Sequence, residues 1–421
     1  MNSTFRALSS YNYRVWAGGA AISNVGTWMQ RTAQDWIVLV QLTHRSAAAV
    51  GIVMGLQFGP QLVLLPFTGR TADHLDRRKL LLATQGAMGV LALGLGLLTA
   101  MGLVQLWHVY VFSLLLGCVA AFDSPARQTF VSDLVTEEHL SNAVALNSTS
   151  FNAARMIGPA IAGVLIAAIG SGWVFLINAF SFAAVLTALN FLRVDELHAR
   201  IRPACTRGSF IEGFRYVWSR PDIMAVLAML FLICTFGLNF PIFISTMTVT
   251  AFHAGAGEYG LLSSMMAVGS VAGALLTARR EAPRLAFLLG SATMFGVALT
   301  AAAFMPNYAL FGIVLIFVGL AAQTLTTTSN GAIQLWTAPD MRGRAMAIVL
   351  AIALGGTPVG APVVGWVADR FGPRWALGIG AASGFVAALV GLIYFVKHRD
   401  LRVRLEAGRL RVTMLPTATP R

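Results

Sequence analysis

Residues 158–179 read GPAIAGVLIAAIGSGWVFLINA, and residues 360–381 read GAPVVGWVADRFGPRWALGIGA. Each stretch ends one long apolar run, breaks at a glycine, and begins the next. At a fixed offset of 202 residues Gly158 coincides with Gly360, Gly163 with Gly365, Gly170 with Gly372, Trp173 with Trp375 and Ala179 with Ala381. The corner between a fifth and a sixth run thus recurs between an eleventh and a twelfth, as a parallel six-plus-six repeat requires. Such repeats place a binding site near the bilayer midplane, between the halves.

Working outward from these corners, apolar runs of membrane-spanning length lie at roughly 14–41, 46–69, 79–101, 105–123, 141–169, 172–192, 222–249, 257–278, 284–304, 308–333, 344–369 and 375–396. A helix needs about 20 mostly apolar residues to cross about 30 Å of hydrocarbon. Backbone polar groups at that depth must be satisfied internally, so the runs are expected as helices. Composition agrees: 57% of residues are hydrophobic and 11% charged, and mean hydropathy is +0.72. A soluble fold carries about 25% charged residues.

The net charge of +13 does not indicate nucleic acid. The basic residues sit in short breaks between apolar runs rather than on one face, and no DNA- or RNA-binding motif accompanies them. Counted by alternating side, 25 of the 30 Lys and Arg residues fall on one side and only Arg45, Arg370 and Arg374 on the other, with Arg31 and Arg155 inside spans. By the positive-inside rule both termini are then cytoplasmic. The longest break divides the chain into an N-terminal six-helix bundle, 1–193, a cytoplasmic linker, 194–221, a C-terminal six-helix bundle, 222–397, and a basic cytoplasmic tail, 398–421. In the linker, Phe210, Phe214, Val217 and Trp218 have helical spacing and predict an amphipathic surface helix.

Polar residues inside spans mark the candidate site, because they are costly there. Asn24, Thr27, Arg31 and Asp35 follow one another at three- and four-residue steps, on one face of span one, with Gln34 beside them. Span five carries Ser148, Asn152, Arg155 and Pro159 in the same way, and span two adds Gln57 and Gln61. The second half contributes Asn239, Gln323, the run Thr324 to Asn330, and the aromatic residues Phe236 and Phe240. These faces are expected to converge on a substrate cavity charged on one wall and aromatic on the other, suited to an amphipathic, anionic aromatic solute. Asp35 is the one carboxylate expected well inside a span, paired with Arg31 four residues away. It is the candidate for proton coupling, although it sits far enough outward along span one to serve an outer gate instead.

The loop after span two reads GRTADHLDRRK, Gly69 to Lys79. It resembles the signature loop of the major facilitator superfamily, G-x-x-x-D-R-x-G-R-R/K, with His74 and Asp76 departing from that pattern. SNVGTWMQRTAQDWIVLVQLTH (23–44), FDSPARQTFVSDLV (122–135) and LSNAVALNSTSFNAARMIGPAIAGVL (140–165) are similar to the branch containing the enterobactin exporter and macrolide efflux proteins. The resemblance implies two six-helix bundles working by alternating access, with no enzyme activity and no cofactor. It implies a cytoplasmic gate of Gly69, Asp73, Arg77 and Asp123, in which Asp73 meets a helix N-terminus of span eleven and Arg77 pairs with Asp123. It also implies an exporter-type element in span five, Gly158, Pro159 and Gly163, of which the upstream glycines are missing.

The expected protein is therefore an all-α, multi-pass protein of a bacterial-type inner membrane, a monomer exporting a drug-like or siderophore-like small molecule against protons. Uptake, lysophospholipid flipping and membrane sensing are the alternatives. No nucleophile–base pair or Walker-type phosphate loop is present. Cys118, Cys205 and Cys234 have no metal-ligand spacing. The N-terminus lacks the pattern of a removable signal peptide.

Overall fold

The computed structural model describes residues 3–65, 67–68, 75–198, 210–278, 285–339, 341–398, 401–406 and 409–414. The first half is built from α1 (Tyr11–Trp36, prolonged by a π-helical turn Ile37–Leu42), α2 (Ala47–Val63), α3 (Arg77–Ala100), α4 (Leu106–Phe130), α5 (Glu137–Ile169) and α6 (Ser171–Asn190). A short helix, α7 (Phe210–Trp218), follows in the linker. The second half contains α8 (Pro221–Leu232) and α9 (Phe240–Thr246), joined by a π-turn Ile233–Gly237 and extended by another, Met247–Ala251. It continues through α10 (Ala256–Ala278), α11 (Leu285–Phe304), α12 (Tyr308–Trp336), α13 (Arg342–Phe371) and α14 (Pro373–His398). The tail forms an antiparallel hairpin, β1 (Leu401–Glu406) with β2 (Arg409–Met414), pairing Leu401 with Met414. This hairpin departs from the all-helical expectation.

Among the described residues ten helical segments are long and apolar enough to cross a membrane, the run Pro221–Ala251 counting as one. The other two long helices miss the criterion for identifiable reasons. α2 has 17 residues, and α1 carries the polar stripe Asn24 to Asp35, which lowers its hydropathy. Large apolar side chains such as Val90, Phe180 and Phe304 are more than two-thirds exposed, as a lipid-facing surface requires and a water-facing one does not.

The two glycine corners occupy equivalent places in the two halves. Gly170, at φ +88° and ψ 163°, is the single residue between α5 and α6. Gly372, at φ +100° and ψ 162°, stands between α13 and α14. That backbone region is essentially closed to any residue with a Cβ. Packing repeats as well. Between the halves, α2 lies along α13, and α5 lies along α10. A shift of six long helices converts one pair into the other.

Those seams are tight because small residues line them. A Cβ on Gly163 would lie 2.6 Å from the carbonyl oxygen of Ala256, and Gly260 packs directly on the carbonyl of Pro159. On the other seam Gly365 meets the backbone of Ala47, and Gly51 meets Ala361. The ends of these seams at Gly163 and Gly365 lie where α1 finishes and α2 begins, remote from the N-terminus. This is the closed end. It is fastened by Asp369 on α13, whose carboxylate accepts from the Ser46 hydroxyl (2.8 Å) and from the backbone N–H groups of Ala47 (2.6 Å) and Ala48 (3.0 Å) at the start of α2. The linker helix is tied to the second half by an ion pair from Arg344 to Glu212, 2.9 Å, and leaves Phe214 and Trp218 exposed on its outer face.

Candidate binding cavity between the halves

Beneath the closed end lies a cavity of about 420 Å³ to which both halves contribute. Three-residue and four-residue steps on α1 aim Arg31 and Asp35 into it, α2 supplies Gln57, and α5 supplies Arg155 and Pro159. The opposing wall comes from Phe240, Tyr259, Gln323 and Thr326. A second cavity of about 510 Å³ adjoins the first through Trp28, Arg31 and Phe151 and extends toward the start of α1. It is lined by first-half residues, among them Asn24, Thr27, Asp123, Arg127 and Asn152.

The central wall is organised by one indole. The Arg31 guanidinium sits 4.9 Å from the Trp28 ring centroid and 5.5 Å from that of Phe58. The Arg155 guanidinium sits 5.6 Å from the same Trp28 ring. Trp28 in turn meets Phe151 edge-on. Gly158 makes this arrangement possible, because a Cβ there would fall 2.6 Å from the Cβ of Trp28.

Arg31 and Asp35 do not form the expected ion pair. Asp35 instead accepts a hydrogen bond from the Tyr259 hydroxyl of α10, 3.2 Å, while Trp36 stacks on the Tyr259 ring at 6.1 Å. Four-residue spacing brings the stems of residues 31 and 35 to one face, but the aromatic shelf of Trp28 and Phe58 takes the guanidinium and the other half takes the carboxylate. Tyr259 was not anticipated. Its only signal in the sequence is a phenol near the start of an otherwise apolar span.

Other placements also differ. Gln34 lies about 100° around the helix from Asp35 and donates to Ser113 Oγ of α4, 2.8 Å, away from either cavity. Gln61 turns back to the carbonyl of Gln57, 3.1 Å. Asn239 is fully buried and donates to the Thr235 carbonyl, 2.7 Å. Neither it, Phe236 nor Asn330 lines either of these two cavities. Leu238 and the expected Phe240 do, on either side of Asn239 at the break between the π-turn Ile233–Gly237 and α9.

At the other end, Gly69 and Asp73 lie outside the described residues. Arg77 is bonded to Asp133 at 2.5 Å and to the Thr129 carbonyl at 3.2 Å, not to Asp123. α3 and α4 run antiparallel, so Asp123, two turns inside α4, faces Thr84 (2.8 Å) and Gln85 (2.6 Å), seven and eight residues beyond Arg77. Its remaining oxygen pairs with Arg127 at 2.9 Å, and Arg127 also donates to Asn24, 2.8 Å. Asp35 is therefore not the only carboxylate buried within a long helix.

Two helical halves, a shared cavity and glycine-lined seams fit a transporter, and similarity to known proteins settles the family. A family model described as transmembrane secretion effector matches residues 2–407. The chain belongs to this family of major facilitator superfamily transporters. As a major facilitator transporter it is a multi-pass inner-membrane protein and not an enzyme. It is 26% identical over 395 residues to the staphyloferrin A transporter of Staphylococcus aureus, covering 91% of this chain and 95% of that protein. It is 27% identical to the multidrug efflux pump Tap of Mycolicibacterium fortuitum, covering 84% and 88%. With the enterobactin exporter EntS of Citrobacter koseri it shares 26% identity, covering 87% of each. The fold matches a bacterial homologue of the human lysosomal transporter Spinster in an inward-facing, occupied conformation, with a TM-score of 0.71 and 14% identity over 92% of this chain and 97% of that one. It also matches a POT family transporter in complex with 5-aminolevulinic acid, TM-score 0.72 and 12% identity over 91% and 95%.

Proposed function

We propose that this major facilitator transporter crosses the inner membrane twelve times with both termini in the cytoplasm, and exports a small amphipathic molecule by proton-coupled alternating access. The observation that carries the reading is the cavity walled by both halves and sealed at one end only by interdigitated seams and one carboxylate cap. A site enclosed by two bundles can be exposed to either side by rocking one against the other. With the termini inside, the closed end is periplasmic and the conformation is inward-open, ready to load from the cytoplasm. The likeness to exporters of a siderophore and of drugs supports export of a similar cargo.

Asp35 is the proposed coupling group. Its bond to Tyr259 crosses between the halves, so opening the outer side breaks it and leaves the carboxylate to take a proton from outside. Arg77 is proposed to act with Gly69, Asp73 and Asp123 at the cytoplasmic gate, closing when the outer end opens. Asp133 holds Arg77 in the meantime.

Reconstitution in proteoliposomes tests the whole. With an acid interior representing the periplasm, substrate moves inward only while the proton gradient persists, and an ionophore that collapses the gradient stops it. Flux that ignores the ionophore would remove proton coupling from the reading.

A further inference from the structure

Resting on the transport reading above, we infer that Arg31 and Arg155 form a two-cation clamp around Trp28 that selects aromatic solutes bearing a carboxylate or comparable anionic group. The clamp belongs to the central cavity and gives its cargo a charge sign.

Among the described residues neither guanidinium has a hydrogen-bond acceptor or an ion-pair partner. Each packs against ring faces, and the Arg31 Nε is buried without a hydrogen-bond partner. An arginine presents five N–H donors in a planar fork, and contact with a ring face leaves the edge of that fork open. Two forks therefore meet one wall of the cavity with their donors unspent. Neither nearby carboxylate hydrogen-bonds to them, although the charge of Asp35 still acts on Arg31 through space. Asp35 accepts from Tyr259, and Asp123 is enclosed by Thr84, Gln85 and Arg127.

Holding cations without ion-pair partners even partly out of water is costly, and ring contacts offset only part of that cost. Such residues persist where they serve a ligand. Guanidinium geometry matches carboxylate oxygens two at a time, and Trp28, Phe58 and Phe151 provide apolar surface beside the forks for the ring of the same solute. A cationic drug finds the opposite of what it needs on this wall. Anionic aromatic cargo, rather than a lipophilic cation, therefore fits the site.

The test uses full-length protein in nanodiscs and a matched pair of probes, tritiated 1-naphthoate and its neutral isostere 1-naphthamide, which differ in charge and little in shape. In a scintillation proximity assay naphthoate binds at least about tenfold more tightly than the amide, as charge-assisted hydrogen bonds imply. Arg31→Gln and Arg155→Gln each cut that preference about tenfold, and Arg31→Lys retains part of it. Equal binding of acid and amide by the wild-type protein overturns the clamp, and needs no variant to fold. So does a preference that survives both glutamine substitutions. Parallel flux measurements in proteoliposomes separate the two readings. Naphthoate that binds with the expected selectivity but is not moved leaves the clamp standing and counts against transport. Flux of other solutes with no acid preference does the reverse.

Discussion

At the scale of single residues, Asp35 and Tyr259 make the sharpest claim. Their 3.2 Å bond is the buried side-chain hydrogen bond joining α1 to α10 across the cavity. Asparagine at 35 keeps an acceptor for the phenol but cannot exchange a proton. Asp35→Asn is therefore expected to abolish uphill, gradient-driven flux while leaving substrate exchange down equal concentrations within about twofold. Tyr259→Phe removes one hydrogen bond to a charged group, about 1.5–3 kcal/mol. It should leave coupling intact and shift the halves toward the outward-open arrangement. Uphill transport by Asp35→Asn at the wild-type rate would show that the proton travels by another group, and Asp123 would be the next to test. Much of this was legible in advance: the stripe Asn24, Thr27, Arg31 and Asp35 follows from helical spacing alone, and it lines the two cavities as one row. Which partner each charge would choose was not. The choice between Arg31 and Tyr259 as the neighbour of Asp35 depends on how α10 docks, and nothing local to span one encodes that.

At the scale of elements, the lesson concerns helical phase. Runs long enough to cross a membrane are read from bulk hydropathy, so their existence and order were legible even where single positions were not. Faces were less secure. The π-turns at Ile233–Gly237 and Met247–Ala251 insert extra residues per turn, so a face counted at 3.6 residues drifts after each of them. Phe236 lies inside the first π-turn and Asn239 in the two-residue break after it, while Phe240, the first residue of α9, lines the cavity as expected. The N-terminus of α2 is an element whose setting was not legible at all. Its first free N–H groups are capped by Asp369, a residue 322 positions away at the far end of α13. A carboxylate at a helix N-terminus contributes about 0.5–2 kcal/mol, and here it joins the halves. Asp369→Asn should weaken the closed end and raise the outward-open population about two- to thirtyfold. A cysteine placed at Ser263, on the cavity wall, reports it: labelling by a membrane-impermeant maleimide added from the periplasmic side accelerates accordingly. Labelling that stays at the wild-type rate would mean that Asp369 caps a helix and does not govern access.

At the scale of the whole molecule, everything depends on the closed end being a door rather than a wall. The repeat argues for a door. The seams α2–α13 and α5–α10 are related by the same six-helix shift as the corners Gly170 and Gly372, so the halves meet as two similar rigid bodies around an axis through the cavity. A cap made of one carboxylate, one hydroxyl and two N–H groups is strong enough to bias such a contact and weak enough to release. Locking it should therefore stop the cycle. Ser46 and Asp369 touch through their side chains, 2.8 Å apart, so cysteines at these two positions are the pair to test for a cross-link across the closed end. In a background with Cys118, Cys205 and Cys234 replaced, the double variant Ser46→Cys, Asp369→Cys is expected to lose transport on oxidation and recover it on reduction. Neither single cysteine should respond. Before and after oxidation, the tritiated probe should still reach the cavity from the cytoplasmic side, because only the outer end is pinned. If the cross-link forms fully and flux continues, the two halves do not separate at this end during turnover, and the substrate must leave by a route that the seams do not close.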